Sequence, residues 1–225
     1  MTALDMGASR DPVRGMARLI HAVRDGSIET RVVERSVLRV EYGRRPEVAY
    51  GMFFGAGTIH RAIELVHRVF PQGRAQGVFG ATLTTAALLA RAGFCRATDG
   101  VLAPDKLVAA LDGETVTGGE FTLAMATTLG RLFAGIRPFW GQGPGNVRFT
   151  SVATGVDGLG RAVPGILVGR PPRFAIEERG FTSRNVDFAD LAMHCGFTVD
   201  GELIEPEPDR LVTISADDSI PFVRA

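Results

Sequence analysis

The sequence has very little cysteine. Cys95 and Cys195 are the only two among 225 residues, they lie far apart, and no CxxC occurs. That excludes a zinc ribbon and a disulfide scaffold, and two lone thiols among Met and Ala read as reduced packing residues of a cytosolic protein. Net charge is also missing, because 25 basic side chains balance 25 acidic ones. A broad basic footprint for nucleic acid is therefore absent, and no nucleic-acid partner is expected. No run is long enough to cross a bilayer. The longest charge-free stretch, between Arg74 and Arg91, centres on VFGATLTTAALLA, shorter than the roughly 20 residues a spanning helix needs. It reads as a buried helix, with a lipid-facing helix in a substrate cleft as the other reading. The first residues, MTALDMGASRDP, carry Asp5 and Asp11 and no apolar core, unlike a signal peptide. GxSxG, GxxxxGK[ST] and a GxGxxG after a strand are all lacking.

What is present is a globular composition, 45% hydrophobic and 22% charged, able to bury a core without staples. Asp11-Pro12 opens a helix over 11–25 that Gly26 ends, with Met16, Leu19, Ile20 and Val23 at helical spacing. The period then changes to two. VVERSVLRVEYG (32–43) and EVAYGMFFGAG (47–57) read as two strands of a hairpin. TIHRAIELVHRVF (58–70) is an amphipathic helix carrying Ile59, Ile63, Val66 and Phe70 on one face. A further helix is expected over 75–93. From about residue 98 the chain becomes strand-rich, with Asp-Gly turns at 112–113 and 200–201. RPFWGQGPGN (137–146) is a loop, and a short helix falls around Pro164. Strands are expected near 173–178, 181–188, 192–199, 210–215 and 220–225. Helices early and short antiparallel strands late make an α+β pattern dominated by a β-sandwich.

Three constellations carry chemistry. His60, Glu64 and His67 stand at i, i+4, i+7, but a fourth ligand is missing. They are read as a solvated face opposite the Ile59/Ile63/Val66 stripe rather than a zinc site. Gly141, Gly143 and Gly145 with Pro144 mimic a phosphate loop without the helix that would receive the anion. Phe139 and Trp140 in that loop touch a lipid surface or a partner, or plug the sandwich. Two Asp-Gly-Glu triplets are the sharpest local features. Asp112-Gly113-Glu114 reads as a plain hairpin. Asp200-Gly201-Glu202 follows the uncharged MHCGFTV and places two carboxylates on a tight turn, suited to base and metal-facing acid.

The stretches GFTVDGELIEPEPDRLVTISADDSIPFVR, MFFGAGTIHRAIELVHR and DPVRGMARLIHAVRDGSIETRVVERSVLRVE together resemble bacterial lipid kinases of the diacylglycerol kinase and sphingosine kinase superfamily. The resemblance covers nearly the whole chain. It implies the β-sandwich second domain of that fold over 31–225. Residues 1–30 would be a remnant or linker following a nucleotide-binding domain, since the family's Gly-Gly-Asp-Gly-Thr and Gly-Thr-x-Asn motifs do not occur. It implies Glu202 as general base for a lipid hydroxyl, Asp200 as organiser of the magnesium and phosphate site, and Gly201 beside the phosphate. A further family acid falls at Glu29 or Glu34, while the acid expected within RPFWGQGPGNVRFT is missing. ATP and Mg²⁺ are the family's cofactors, neither expected to bind tightly to this chain alone. Partners implied are a lipid substrate, the nucleotide-binding domain and transient membrane contact, at a cytoplasmic or inner-membrane location, with a homodimer compatible. The rivals are a stand-alone lipid-binding or regulatory module and a NAD kinase relative built on the same two-domain plan.

Overall fold

The computed structural model describes Ser9 and residues 11–43, 47–69, 100–132, 135–207 and 211–224. The helix expected over 75–93 and Cys95 lie outside these residues.

Helix α1, Pro12–Arg24, begins as its sequence dictates. The Asp11 carboxylate accepts the amides of Val13 and Arg14 at 3.0 and 3.2 Å, and Pro12 occupies the first turn. Its buried side is the narrow one, Gly15 and Ala22, while Val13, Met16, Ile20 and Val23 face outward. A 3₁₀ turn leads into β1, Val32–Ser36. The single strand read over 32–43 is in fact two. Val37 donates its amide to the Asp218 carbonyl and breaks the run. β1 then pairs only with β13, Ser219–Val223, and β2, Leu38–Tyr42, joins the main sheet.

The stretch 47–57 is likewise broken, into β3 (Glu47–Gly51) and β4 (Phe53–Gly57), which feeds α2 (Thr58–Val69). Next come β5 (Asp105–Leu111) and the long β6 (Glu114–Thr127). β7 is Val147–Ala153, and α3 is Leu159–Leu167. The strand expected at 173–178 is absent. Ala175 closes a turn onto the Pro172 carbonyl and a 3₁₀ turn follows at Glu177–Arg179. β8 (Phe181–Val186), β9 (Phe188–Met193), β10 (Phe197–Val199), β11 (Glu202–Ile204) and β12 (Leu211–Ser215) complete the set. The run read as one strand over 192–199 is divided at 194–196 between β9 and β10.

The main sheet is antiparallel, in the order β11-β10-β4-β6-β5-β9-β12-β2-β3, with β7 bridging β6 and β8. It curls until its distant parts share one core. Tyr42 on β2 and Phe197 on β10 stand far apart in that order, yet their rings meet edge to face at 5.5 Å. One cluster runs through Leu38, Val40, Phe54, Leu107, Phe121, Phe149, Leu191, Phe197 and Ile214. Each such side chain contributes about 1.5–3 kcal/mol by leaving water. The fold is α+β with the strands concentrated in the C-terminal half, as the sequence pattern indicates.

Two places hold the curl, and they are built alike. At the β3–β4 break, the Asp200 carboxylate accepts the amides of Met52 (2.9 Å) and Phe53 (3.0 Å), and the Asp200 amide donates to the Phe53 carbonyl at 2.9 Å. At the β8–β9 break, the Asp112 carboxylate accepts the amides of Asp187 (2.9 Å) and Phe188 (3.0 Å), and the Asp112 amide donates to the Phe188 carbonyl at 3.1 Å. The register agrees too. Val199 pairs with Phe54 and Leu111 with Ala189, so in both cases the residue before the Asp faces the residue after the Phe. Both Asp residues have positive φ, 48° and 51°, followed by Gly in the same region, the requirement of a two-residue hairpin turn. Gly51 must lack a side chain here, since a Cβ would lie 2.9 Å from the Asp200 carboxylate.

The two clamps differ in one detail that can be tested. Oδ1 of Asp112 accepts both amides, whereas Asp200 uses one oxygen for each. An asparagine carbonyl can replace Oδ1 alone, and its NH₂ would face an amide donor at the second position. Asp200→Asn should therefore cost about 1 kcal/mol more than Asp112→Asn in urea unfolding, at about 0.5–1.5 kcal/mol per bond. Equal losses, or a larger loss for Asp112→Asn, would contradict the clamp geometry.

Candidate functional site

The β10–β11 turn places Gly201 at its tip and Glu202 as the first residue of β11, opposite Val199. Asp200 is held by its two amides, so the turn is fixed relative to the β3–β4 break. The Glu202 side chain is exposed and makes no hydrogen bond or ion pair among the described residues. Its charge reaches Tyr42. Burial pushes the Tyr42 hydroxyl above its ordinary value, the Glu47 carboxylate adds to the rise by charge and by a hydrogen bond, and Glu202 adds a smaller share.

The other triplet is occupied differently. Glu114 takes Arg184 Nη1 at 2.6 Å, and the same guanidinium forks onto Glu177 through Nε and Nη2 at 2.8 Å each. These hydrogen bonds hold Arg184 well above its usual value and fully charged. Two identical local sequences thus end in different electrostatic settings, one Glu paired with an arginine and one left open. The Glu114–Arg184 pair escapes a sequence reading because its partners lie 70 residues apart in the chain. For the clamps a signal existed in the repeated Asp-Gly-Glu.

The His60, Glu64, His67 face does not assemble. Glu64 pairs with Arg68 at 2.7 Å and His67 is exposed. His60 is not part of a solvated face at all. It is 6% exposed, its Nε2 lies 3.3 Å from Glu205, and the missing side chain of Gly196 makes room for its ring. The first turn of α2 leaves the core strand β4 directly, which carries His60 under the sheet. Among the described residues no cluster of His, Cys, Asp and Glu can hold a metal ion.

The glycine-rich loop is a packing element. Trp140 and Gly141 donate their amides to Ser183 Oγ, both at 3.0 Å, and any Cβ on Gly141, Gly143 or Gly145 would strike the backbone of residues 184–187. Trp140 is half-buried against a second cluster of Val152, Ala162, Ile166 and Phe181, so of the readings offered for it, the plug holds. Phe139 lies under the Arg148 guanidinium at 5.4 Å. Among the described residues no helix is long and apolar enough to cross a membrane.

No protein-family model matches the sequence, and no curated protein matches it. Solved structures do. A diacylglycerol kinase from Bacillus anthracis str. Sterne superposes with a TM-score of 0.52 at 10% identity, over 98% of this chain and 62% of that one. A second chain of the same organism, also described as a diacylglycerol kinase, gives a TM-score of 0.54 at 10% identity, over 95% of this chain and 61% of that one. The chain has the fold of part of these proteins and spans about three-fifths of their length. At this identity the likeness is one of fold.

A buried thiol ahead of β10 gives a pH test. Burial pushes Cys195 up to about 11, and the Asp105 carboxylate adds to the rise. In a Cys95→Ser variant at pH 8, Cys195 should react with a disulfide reagent at least about tenfold more slowly in the native than in the guanidinium-unfolded protein. The raised value also fixes a sign. Stability from the retained proton is present below about pH 8.5 and declines as pH rises toward 11. Equal rates in the two states would refute the buried thiol.

Proposed function

We propose that this chain is the lipid-facing part of a kinase that transfers a phosphoryl group from ATP to a lipid hydroxyl, acting together with a nucleotide-binding half. The observation that carries the reading is the open Glu202 carboxylate on a clamped turn, in a chain whose fold matches part of a diacylglycerol kinase. A general base needs a carboxylate able to accept a proton from a defined position. The Glu202 carboxylate has no cation beside it among the described residues and stands on a clamped turn, while Glu114, in the same local sequence, is paired with Arg184.

The reaction follows from that placement. The lipid hydroxyl oxygen attacks the γ-phosphorus, its proton passes to the Glu202 carboxylate, and the bond from the γ-phosphorus to the bridging oxygen breaks, leaving ADP. Asp200 acts as a positioning residue, since both its oxygens are engaged by the Met52 and Phe53 amides. Among the described residues no three His, Cys, Asp or Glu side chains gather into a metal site, and no step is derived through magnesium.

A stand-alone lipid-binding module is the second reading, supported by the fold without the chemistry. A radiolabelled-ATP assay on diacylglycerol in mixed micelles separates the two. The 225-residue chain alone should show no turnover, and the chain fused to a nucleotide-binding half of the diacylglycerol kinase type should show many. Multiple turnovers by the chain alone would contradict the division of labour. Diacylglycerol binding by an inactive but folded fusion would favour the binding module.

A further inference from the structure

A cleft of about 220 Å³ opens where β1, the Met52 break, the end of β6 and the start of β7 meet. It joins two features that lie far apart in sequence, the acid at Glu34 and the Gly-Pro-Gly-Asn end of the glycine-rich loop. Its walls are Glu34, Arg35 and Ser36 on one side, Thr128 on another, and Asn146 with Arg148 on the third. Met52 forms part of its lining, and the Met52 amide is one of the two that Asp200 holds, so the cleft adjoins the clamped strand break.

The donors outnumber the acceptors. Arg148 is aimed by a hydrogen bond from Nη1 to the Thr128 carbonyl at 2.9 Å and by the Phe139 ring beneath it. A guanidinium has five N–H donors, and Arg148 makes no other hydrogen bond among the described residues. The Thr128 hydroxyl is buried in the wall with no partner, an arrangement that calls for an explanation. Ser36 and Asn146 bring a hydroxyl and an amide. The carboxylate of Glu34 accepts from Ser219 Oγ at 3.0 Å, which ties it toward β13. The Arg148 guanidinium thus supplies the open donors of the lining, beside the Thr128 and Ser36 hydroxyls and the Asn146 amide. The pressed-down glycines fix Asn146 relative to β8 without a flexible linker.

We propose that this cleft binds a phosphate group. Donors from three walls suit a tetrahedral oxyanion, which offers oxygens in several directions, better than a planar carboxylate. The phosphate can come from a nucleotide, from a lipid headgroup or from free solution. Binding as such does not depend on the kinase reading.

The test is calorimetric titration of the 225-residue protein at low salt with inorganic phosphate, with ATP without magnesium, and, by flotation, with phosphatidylcholine vesicles carrying phosphatidic acid. Acetate serves as the carboxylate control. Saturable phosphate binding is expected, stronger than acetate, and weakened about tenfold or more by Arg148→Gln through loss of a charge-assisted contact. Asn146→Asp, which keeps the side-chain size and spares the Arg148–Thr128 contact, should weaken it as well by adding a like charge. Arg14→Gln on α1 should leave it unchanged. Tighter ATP assigns the site to a nucleotide, tighter vesicle binding to a headgroup, and equal binding to free phosphate. No saturable binding of any of the three, or unchanged affinity in both cleft variants, overturns the proposal. Loss of kinase activity in the fusion with phosphate binding intact would refute the proposed function alone.

Discussion

A carboxylate that accepts two consecutive backbone amides at a broken strand is the interaction on which this fold depends. A strand break leaves amides that no ladder partner can reach, and an unsatisfied amide in a partly buried place is costly. Asp200 and Asp112 each answer that demand from a hairpin tip brought in from elsewhere in the chain. The hairpin therefore cannot slide, and the broken strand cannot straighten. With both breaks fixed, the sheet bends enough for Tyr42 and Phe197 to meet and for one core to form from strands that are remote in the pairing order.

The same device done twice separates structure from chemistry. Both turns carry Asp for the clamp and Gly for the turn, and both are followed by Glu at the start of the next strand. At 114 that Glu is closed by a guanidinium that also forks onto Glu177. At 202 no cation pairs with the Glu among the described residues, and the neighbours are a half-buried tyrosine and another carboxylate. A polar cleft has Met52 in its lining, the residue whose amide the same clamp holds. The open Glu stands on the clamped turn and the cleft shares the Met52 break, a reason to look for phosphoryl chemistry there and not at the first triplet.

Much of this was legible in the sequence, for identifiable reasons. Asp11-Pro12 states the start of α1 locally, and Asp-Gly states each hairpin, because turn and cap chemistry is carried by neighbours in the chain. The breaks at Val37 and Met52 were not legible. Alternation continues through both, and the break is imposed by partners at Asp218 and Asp200 more than a hundred residues away. His60 was misplaced for a similar reason, since its periodicity suggested a wet face while Gly196 opens a buried slot for it. The Asp-Gly-Glu repeat was visible, but its meaning needed the third partner, the Phe-led strands at 53 and 188, whose flanks share no other pattern.

The central claim is that one open Glu distinguishes two otherwise equivalent turns. The most direct measurement is kcat and Tm for Glu202→Gln and Glu114→Gln in the fused, active protein. A positioned base is worth roughly 10²–10⁴-fold, so Glu202→Gln should lose at least about 10²-fold in kcat while keeping its Tm. Glu114→Gln should keep its kcat and lose only what the Arg184 contact contributes to stability. A crippled Glu114→Gln, or full activity in both variants, would contradict the account.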